Sequence, residues 1–485
     1  MVIPKVKLKS LGAGPALLLV VFLLNTVPVH AFFRHLCFGE LGNGRVDPIM
    51  SPGHPSQHVH VSFGASSFGF DPTIDELLTS NCTSCSITQD HSVYWAPRMY
   101  FQHSNGTFEM IPTSGGMTVY YFTESGEANV SATAFPQNFR MIAGNSVKRA
   151  FYGPDPDPPM SLWQPSDMTQ QSLMEKALGF NCLHYSDGVP NEGSLEHHGL
   201  RNKGFIDSTC EDGIRAELLF PSCWNGKDLD SSNHTTHVAY PSEVKYGTCP
   251  EGFPVKLPIL FYETIYQTPL FAGMDGQFVF SNGDPTGYGY HGDFICGWDE
   301  GVLQDAIDNT ICTSLNSTGL QEDCPIFSLQ DRTVGTQCKM EVPEALQDEP
   351  VNLVQQLPGN IQVQAGPEPA TMPEATAVSA TPSPTANATV LSVSQNPTSS
   401  LAAATAIATA APLSANMNVT TTPSPSDTDP QITVTSTYMS GSVEVHMILV
   451  EDIVTVTVSE GTAPIARAHK RRIHKHGHGN GLVRY

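Results

Sequence analysis

Between residues 32 and 342, hydrophobic positions occur in short runs rather than with the long 3.6-residue repeat of helices. Several runs bounded by Gly, Pro, Asn or Asp predict strands, namely residues 117–122, 216–220, 255–262 and 277–280. Residues 166–178 and 299–311 have helical spacing instead. The pattern therefore predicts a mainly β globular domain over residues 32–342, of β-sandwich or jelly-roll type, with a few short helices.

The N-terminus has the order of a secretory signal peptide. Lys5, Lys7 and Lys9 precede an apolar run over residues 11–24, and small residues follow around Ala31. The run is shorter than the roughly 20 apolar residues that span a bilayer. We therefore predict a cleaved signal peptide over residues 1–31, with an uncleaved anchor as the alternative, and no transmembrane segment after cleavage.

The composition changes after residue 342. Ser, Thr, Ala and Pro dominate residues 343–430, which cannot bury enough apolar surface to offset the chain entropy. This stretch is predicted to be a disordered, mucin-like linker. Residues 431–485 contain a Val- and Thr-rich segment, in which residues 431–459 could form a hairpin, and then a basic, His-rich tail. That tail is either a disordered end or a contact for anionic polysaccharide, membrane or metal.

Cysteines, glycosylation motifs and charge limit the possible compartments and partners. All 11 cysteines follow the predicted signal peptide, and Asn-x-Ser/Thr motifs begin at Asn81, Asn105, Asn129, Asn233, Asn316, Asn387 and Asn418. Both features are typical of secreted, disulfide-bonded glycoproteins. The odd cysteine number leaves at least one thiol without an intramolecular partner. A net charge of −23 argues against nucleic acid as a partner.

Three stretches rich in His and Asp contain the candidate chemistry: residues 55–60, 233–237 and 282–293. His58 and His60 would project from one face of a strand and could bind the same metal ion. A third ligand such as His237, His291 or Asp293 would leave one coordination position open, as in catalytic zinc sites. The candidate metal ligands are His58, His60 and His237, and the metal is an unidentified divalent ion. The candidate catalytic residues are His58, His60, His237, Asp284, His291 and Asp293.

Other interpretations of these residues stay open. His58 and His60 could simply form hydrogen bonds in a turn, and the Gly-rich run before His291 could be a tight loop. A glycosidase would need only two carboxylates. The acidic candidates for that chemistry are Asp90, Asp207, Glu211, Glu217, Asp284 and Asp293, with Tyr94, Trp95, Trp224, Tyr288 and Trp298 available to stack on sugars.

Several motifs resemble a family of secreted fungal proteins, the domain of unknown function 1996. They lie in residues 45–49, 51–53, 55–60, 81–85, 94–97, 176–182, 221–228, 237–241 and 281–298. The resemblance implies secretion, association with the fungal cell wall and a shared pocket, and it brings no established reaction. Cys296 departs from the family pattern and is therefore our candidate for the unpaired thiol, and His54 also departs from it.

The sequence thus predicts a secreted glycoprotein, extracellular or in the cell wall, that acts on cell-wall polysaccharide. An enzyme of this kind would be a carbohydrate-active hydrolase, with or without metal assistance. The alternatives are a non-catalytic glycan-binding wall protein and a structural surface antigen.

Overall fold

A computed structural model describes residues 32–123, 132–186, 191–313 and 319–373, together with the strand backbones of residues 431–440, 443–452 and 472–476. The chain divides into two units, residues 1–384 and 385–485. The predicted signal peptide, the linker beyond residue 373 and most of the basic tail lie outside the described residues. None of the described helices has both the length and the apolar composition needed to cross a bilayer.

The first unit is built from short strands and a few short helices. The strands are β1 (Phe32–Cys37), β2 (Gly42–Gly44), β3 (His60–Gly64), β4 (Val93–Pro97), β5 (Met99–His103), β6 (Phe108–Met110), β7 (Thr113–Phe122), β8 (Arg140–Gly144), β9 (Leu178–Leu183), β10 (Gly213–Leu219), β11 (Cys223–Trp224), β12 (Val238–Ala239), β13 (Val255–Lys256), β14 (Ile259–Tyr266), β15 (Gly276–Phe280) and β16 (His291–Ile295). The α-helices are α1 (Ile74–Leu78), α2 (Gln170–Lys176), α3 (Lys203–Thr209), α4 (Val302–Asp308) and α5 (Arg332–Gln337). Single 3-10 turns cover Met160–Leu162, Pro165–Met168, Thr268–Phe271, Gln321–Asp323, Glu344–Leu346 and Pro358–Asn360.

Two five-stranded antiparallel sheets form the body of this unit. Their strand orders are β1-β7-β14-β10-β9 and β2-β3-β4-β16-β8. Apolar side chains of both sheets share one buried cluster, in which the ring of Tyr94 on β4 contacts the ring of Tyr262 on β14. Two three-stranded sheets, β12-β11-β13 and β15-β5-β6, complete the fold. The predicted mainly β fold is confirmed.

The two predicted helical segments contain shorter helices than expected. In the first, a 3-10 turn begins at Pro165 and the Thr169 side chain caps α2 by accepting a hydrogen bond from Ser172 N. The helix α2 ends at Lys176, because Leu178 already begins β9, the edge strand that pairs with β10. In the second segment, only residues 302–308 are α-helical.

Residues 343–373, whose composition assigned them to the linker, pack on the first unit. Leu346 joins an apolar cluster with Trp95, while Leu357 and Ile361 pack with Tyr100 in another. The globular body therefore continues to residue 373, past the predicted boundary at residue 342. Few Ser or Thr residues occur before residue 371, so the composition of a mucin-like linker begins only after this segment.

Five disulfides connect distant parts of the first unit. They are Cys37–Cys85, Cys82–Cys338, Cys182–Cys210, Cys223–Cys249 and Cys312–Cys324. Cys82 and Cys85 bond to different partners, so this pair forms structural crosslinks rather than a redox centre. Cys296 is buried and free, as predicted.

The second unit contains three antiparallel strands within its described residues. β17 (Gln431–Ser440) pairs with β18 (Val443–Asp452), as the predicted hairpin requires, and β19 (Arg472–His476) of the basic tail pairs with β18.

Candidate functional site

The alternation of side chains along β16 places polar residues on the outer face of the second sheet. Phe294 belongs to the shared core, so His291 and Asp293 point to the opposite face. Gly292 allows the two sheets to approach closely, because a Cβ atom there would lie 2.7 Å from a side-chain carbon of Leu218. A central strand thus presents an imidazole and a carboxyl group away from the core.

Three histidines converge on this outer face, and we call them the histidine triad: His58, His60 and His291. The rings of His58 and His60 have their centroids 4.3 Å apart, which fits the expectation that they project to one side. His58 Nε2 lies 3.1 Å from His291 Nε2. One ring nitrogen from each residue falls within 4.8 Å of the others, and all three side chains are buried.

The hydrogen bonds of the triad leave nitrogen lone pairs available. His291 Nδ1 donates to Gly289 O at 2.9 Å, so in the neutral ring the lone pair belongs to Nε2, which accepts a hydrogen bond from His58 Nε2 in the metal-free protein. His58 Nδ1 and both ring nitrogens of His60 are buried without a hydrogen-bond partner. Buried polar groups in folded proteins are normally paired, so these nitrogens could accept a partner such as a metal ion.

The surroundings keep the triad neutral. Burial lowers the pKa of His58 and of His60 well below the usual value, and the neighbouring imidazoles lower both further. Burial also lowers the pKa of His291 to about 4. Metal ligation requires the neutral imidazole, which is therefore the form present at physiological pH.

Two carboxyl groups share a cavity of about 400 Å³ with His58 and His291, and we call Asp47 and Asp293 the carboxyl pair. Burial raises the pKa of Asp293 well above its usual value, and the charge of Asp47 raises it further. Burial likewise raises the pKa of Asp47, although the amides of Met50 and Ile49 donate hydrogen bonds that partly offset this effect. Asp293 Oδ2 is buried without a hydrogen-bond partner. Two acidic groups of this kind are suited to hold and transfer a proton.

The structure does not bring His237 to the triad. Its Nε2 donates to Arg140 O at 2.8 Å, and its Nδ1 lies 3.0 Å from Ser231 Oγ. Both ring nitrogens therefore have protein partners. His291, which was also predicted as a possible third ligand, lies next to His58 instead, because β16 brings it there.

Asp284 is a structural residue of the loop before β16. Its carboxylate accepts hydrogen bonds from Thr286 N and Thr286 Oγ1 at 2.8 and 2.6 Å and from Gly289 N at 2.6 Å. It is completely buried and does not line the cavity that holds the carboxyl pair. It shapes the loop that supplies Gly289 O to His291.

The aromatic residues considered for sugar stacking lie elsewhere. Tyr94, Trp95 and Trp298 are buried in apolar clusters, and no aromatic residue is among the described residues that line the cavity. Of the carboxylates considered for a glycosidase, only Asp293 reaches the cavity. Asp47, its partner there, was not among the candidates. Its only sequence signal was its place in residues 45–49, one of the stretches that resemble the family.

A second group of buried residues, which we call the Asp90 network, surrounds His35: Asp90, Tyr94, Tyr121 and Trp298. His35 lies close to Cys37 and Cys85 as a metal site would require, but these two cysteines form a disulfide. His35 Nε2 lies 3.0 Å from Asp90 Oδ2 instead. This group is therefore part of the core.

Comparison with known proteins gives one match. Residues 47–298, just over half of the 485-residue chain, match the family model described as Domain of unknown function (DUF1996). No curated protein and no solved structure matches the chain. The matched region contains the whole histidine triad and the carboxyl pair. The protein therefore belongs to the DUF1996 family, as its motifs had suggested.

Proposed function

We propose that this protein is a metal-dependent hydrolase that acts on polysaccharide, with the histidine triad as its metal ligands and the carboxyl pair as its proton-transfer groups. The observation that carries the proposal is the convergence of three neutral, buried imidazoles, two of which line one cavity together with two buried carboxyl groups. Either group alone has structural explanations, whereas their combination is typical of a hydrolytic centre.

The spacing of the triad supports metal binding. Two nitrogens bound about 2.0–2.1 Å from one tetrahedral ion are about 3.3 Å apart. The distance of 3.1 Å between His58 Nε2 and His291 Nε2 is close to that value. The carbonyl of Gly289 fixes the tautomer of His291, as second-shell acceptors do in known metal centres. Zinc is the first candidate, although imidazole ligands also suit copper, iron and nickel.

The carboxyl pair would provide acid and base chemistry. A bound divalent ion would supply a polarised water at neutral pH and would favour the ionised form of a nearby carboxyl group. Asp293, on the same strand face as His291, would then accept a proton from water. Asp47 would keep its proton and donate it to the leaving group, because two adjacent carboxyl groups do not readily ionise together.

The lining of the cavity favours a neutral, hydroxyl-rich substrate. Amide and hydroxyl side chains predominate among its polar groups, including Gln57, Asn145, Ser146 and Gln171. No Lys or Arg is among the described lining residues, so an anionic substrate would find no countercharge from the protein there. A neutral polysaccharide meets this requirement. Five disulfides and the predicted signal peptide support an extracellular or cell-wall location, where such polymers occur.

The test is hydrolysis of neutral wall polymers by the full-length secreted protein after incubation with zinc. We expect new reducing ends from at least one β-glucan, mannan or chitin preparation. A His58→Ala/His291→Ala variant should lose metal and activity together, while Asp293→Asn should keep the metal and lose activity. His103→Ala, a half-buried histidine outside the cavity, is the control. Metal binding without hydrolysis of any polymer would contradict the proposed hydrolase activity and favour a glycan-binding wall protein.

A further inference from the structure

The segment formed by residues 343–373, which we call the strap, lies outside the family match and contacts each part of the chain that holds the histidine triad. It reaches the stretch before β3, the loop after β8 and the loop before β16. Gln364 N donates to Gly283 O at 2.9 Å, and Ala370 N donates to Val147 O at 2.7 Å. Gln57, a lining residue of the cavity, donates to Pro373 O at 3.0 Å.

One chain of hydrogen bonds runs from the strap to His58. Both carboxylate oxygens of Glu349 accept from Arg45 Nε at 2.9 Å. Arg45 Nη1 donates to Ser56 O at 2.6 Å, and Ser56 Oγ donates to His58 O at 2.7 Å. The Glu349 carboxylate thus orients a guanidinium group that holds the backbone just before the first triad residue.

A second chain runs from the strap to His291. Gln364 O accepts from Arg149 Nε at 2.9 Å, and Arg149 Nη2 donates to Asn282 O at 2.7 Å. Asn282 Nδ2 donates to Gly289 O at 2.9 Å, the same carbonyl that accepts from His291 Nδ1. Arg149 and Asn282 are almost completely buried, so water does not compete for these bonds.

Close backbone contact keeps the strap in place. Gly359 has φ +78°, and a Cβ atom there would lie only 2.0 Å from Gln57 O. At Gly366, φ +80°, a Cβ atom would lie 2.6 Å from Arg149 Cβ. Only glycine permits both the positive φ and this proximity. The strap therefore fits closely at the start of each hydrogen-bond chain.

We propose that the strap is a positioning element, which holds His58 and His291 at the separation needed to bind one metal ion. Glu349 of the strap and Arg149, which donates to the strap, are the main positioning residues. This inference rests on the proposed metal site. The two facing histidines come from segments far apart in sequence, and the strap connects to both. Outer-shell groups that orient ligands typically contribute about 10- to 100-fold to metal affinity.

The test compares Glu349→Gln with Glu109→Gln in the full-length protein. Glu109 also forms an ion pair on the surface, with His103 at 2.9 Å, and it does not line the cavity. Its neighbours Phe108 and Met110 hydrogen-bond to the strap at Val354 and Asn352, so this control tests a strap contact away from both hydrogen-bond chains. Zinc affinity is measured by competition with a chelator, and amide hydrogen exchange is followed in residues 56–60 and 289–293 of the metal-free proteins. We expect Glu349→Gln to weaken zinc binding about tenfold and to speed exchange in residues 56–60, without a change for Glu109→Gln.

A second variant, Arg149→Lys, tests the other chain and should speed exchange mainly in residues 289–293. Unchanged zinc affinity and unchanged exchange in both the Glu349→Gln and the Arg149→Lys variants would overturn the proposal. If the wild-type protein binds no zinc, the proposed function fails, and hydrogen exchange alone then decides whether the strap orders the two segments. Faster exchange spread evenly over the whole domain would indicate general destabilisation and would also overturn a positioning role.

Discussion

Two buried histidine clusters of this protein differ in the groups that face their imidazole rings. In the Asp90 network, His35 Nε2 lies 3.0 Å from Asp90 Oδ2, and the Tyr94 hydroxyl donates to the same carboxylate. The Tyr94 and Tyr121 hydroxyls are 2.8 Å apart, and Trp298 Nε1 donates to Tyr121 at 3.0 Å. His35 Nδ1 is buried without a hydrogen-bond partner, but the other polar side-chain atoms of this network each lie beside one of opposite charge or complementary hydrogen-bonding capacity.

The histidine triad has the opposite character. Its imidazoles face one another, three of its ring nitrogens have no partner, and the nearby carboxyl pair has a raised pKa. Burial alone would also raise the pKa of Asp90, but His35, Ser92 and Tyr94 lower it below the usual value. Burial thus does not distinguish the clusters. The facing groups do, because a carboxylate faces His35 whereas His58 and His291 face each other. This difference supports a structural role for the Asp90 network and the ligand-binding role proposed for the triad.

The largest expected effect is on stability when the Asp90 network is broken. Asp90→Asn removes the negative charge beside His35 and leaves buried polar groups without their acceptor, so the free energy of unfolding should fall by about 3 kcal/mol. Urea unfolding in the presence of a chelator measures this change in the free energy of unfolding. Zinc affinity should be unchanged. A loss below about 1 kcal/mol would contradict a stabilising role for the Asp90 network.

Low pH should have a smaller effect on the free energy of unfolding. The pKa of Asp90 is lower in the folded state than the usual value near 3.9, so its contribution to stability is complete above that pH. The contribution is lost as the pH falls through the folded-state pKa. The stability difference between the wild type and Asp90→Asn should therefore shrink between pH 5 and pH 2, as followed by urea unfolding. A difference that grew in acid would reverse the predicted sign.

Asp293→Asn should act on stability in the opposite direction to Asp90→Asn. Asp293 Oδ2 is buried without a partner, and its raised pKa means that the carboxyl group ionises more readily in the unfolded chain. Replacement by Asn removes this preference for the unfolded state and should raise the unfolding free energy of the metal-free protein by about 1 kcal/mol. Activity should be lost in the same variant. A stability loss as large as that of Asp90→Asn would show that Asp293 is also a structural residue.

The smallest expected effect concerns Cys296, which borders the Asp90 network. Burial raises the pKa of its thiol to about 12, so little reactive thiolate forms at neutral pH. A thiol reagent should label no cysteine in the native protein and one after unfolding without reductant, as counted by mass spectrometry. Rapid labelling of the native protein would show that this side of the core opens to solvent.

Local pattern was enough to predict the β-rich fold and part of the site. The run over residues 277–280 lies in β15, and the His-x-His spacing placed His58 and His60 on one side. Neither pattern contains information on sheet order. His291 becomes the third member only because β16 lies between β4 and β8, with β3 next to β4. Asp47 reaches the same cavity through a loop, for which no periodicity exists.

The packing of the strap could not be predicted from the sequence either. Like residues 374–430, the strap contains no aromatic residue, and its apolar residues Leu346, Leu357 and Ile361 are widely spaced. They are buried because distant segments provide complementary surfaces. Contacts of Glu349 with Arg45, across 304 positions of sequence, cannot be inferred from either residue alone.

The most direct test of the central claim is the amount of metal bound per chain. Elemental analysis would use the full-length protein with the tail residues His469, His474, His476 and His478 replaced by Ala, without an affinity tag. The account predicts about one zinc or other divalent ion per chain, and its loss in a His58→Ala/His291→Ala variant that unfolds at the same urea concentration. No metal after incubation with zinc or copper, or equal metal in that variant, would contradict it.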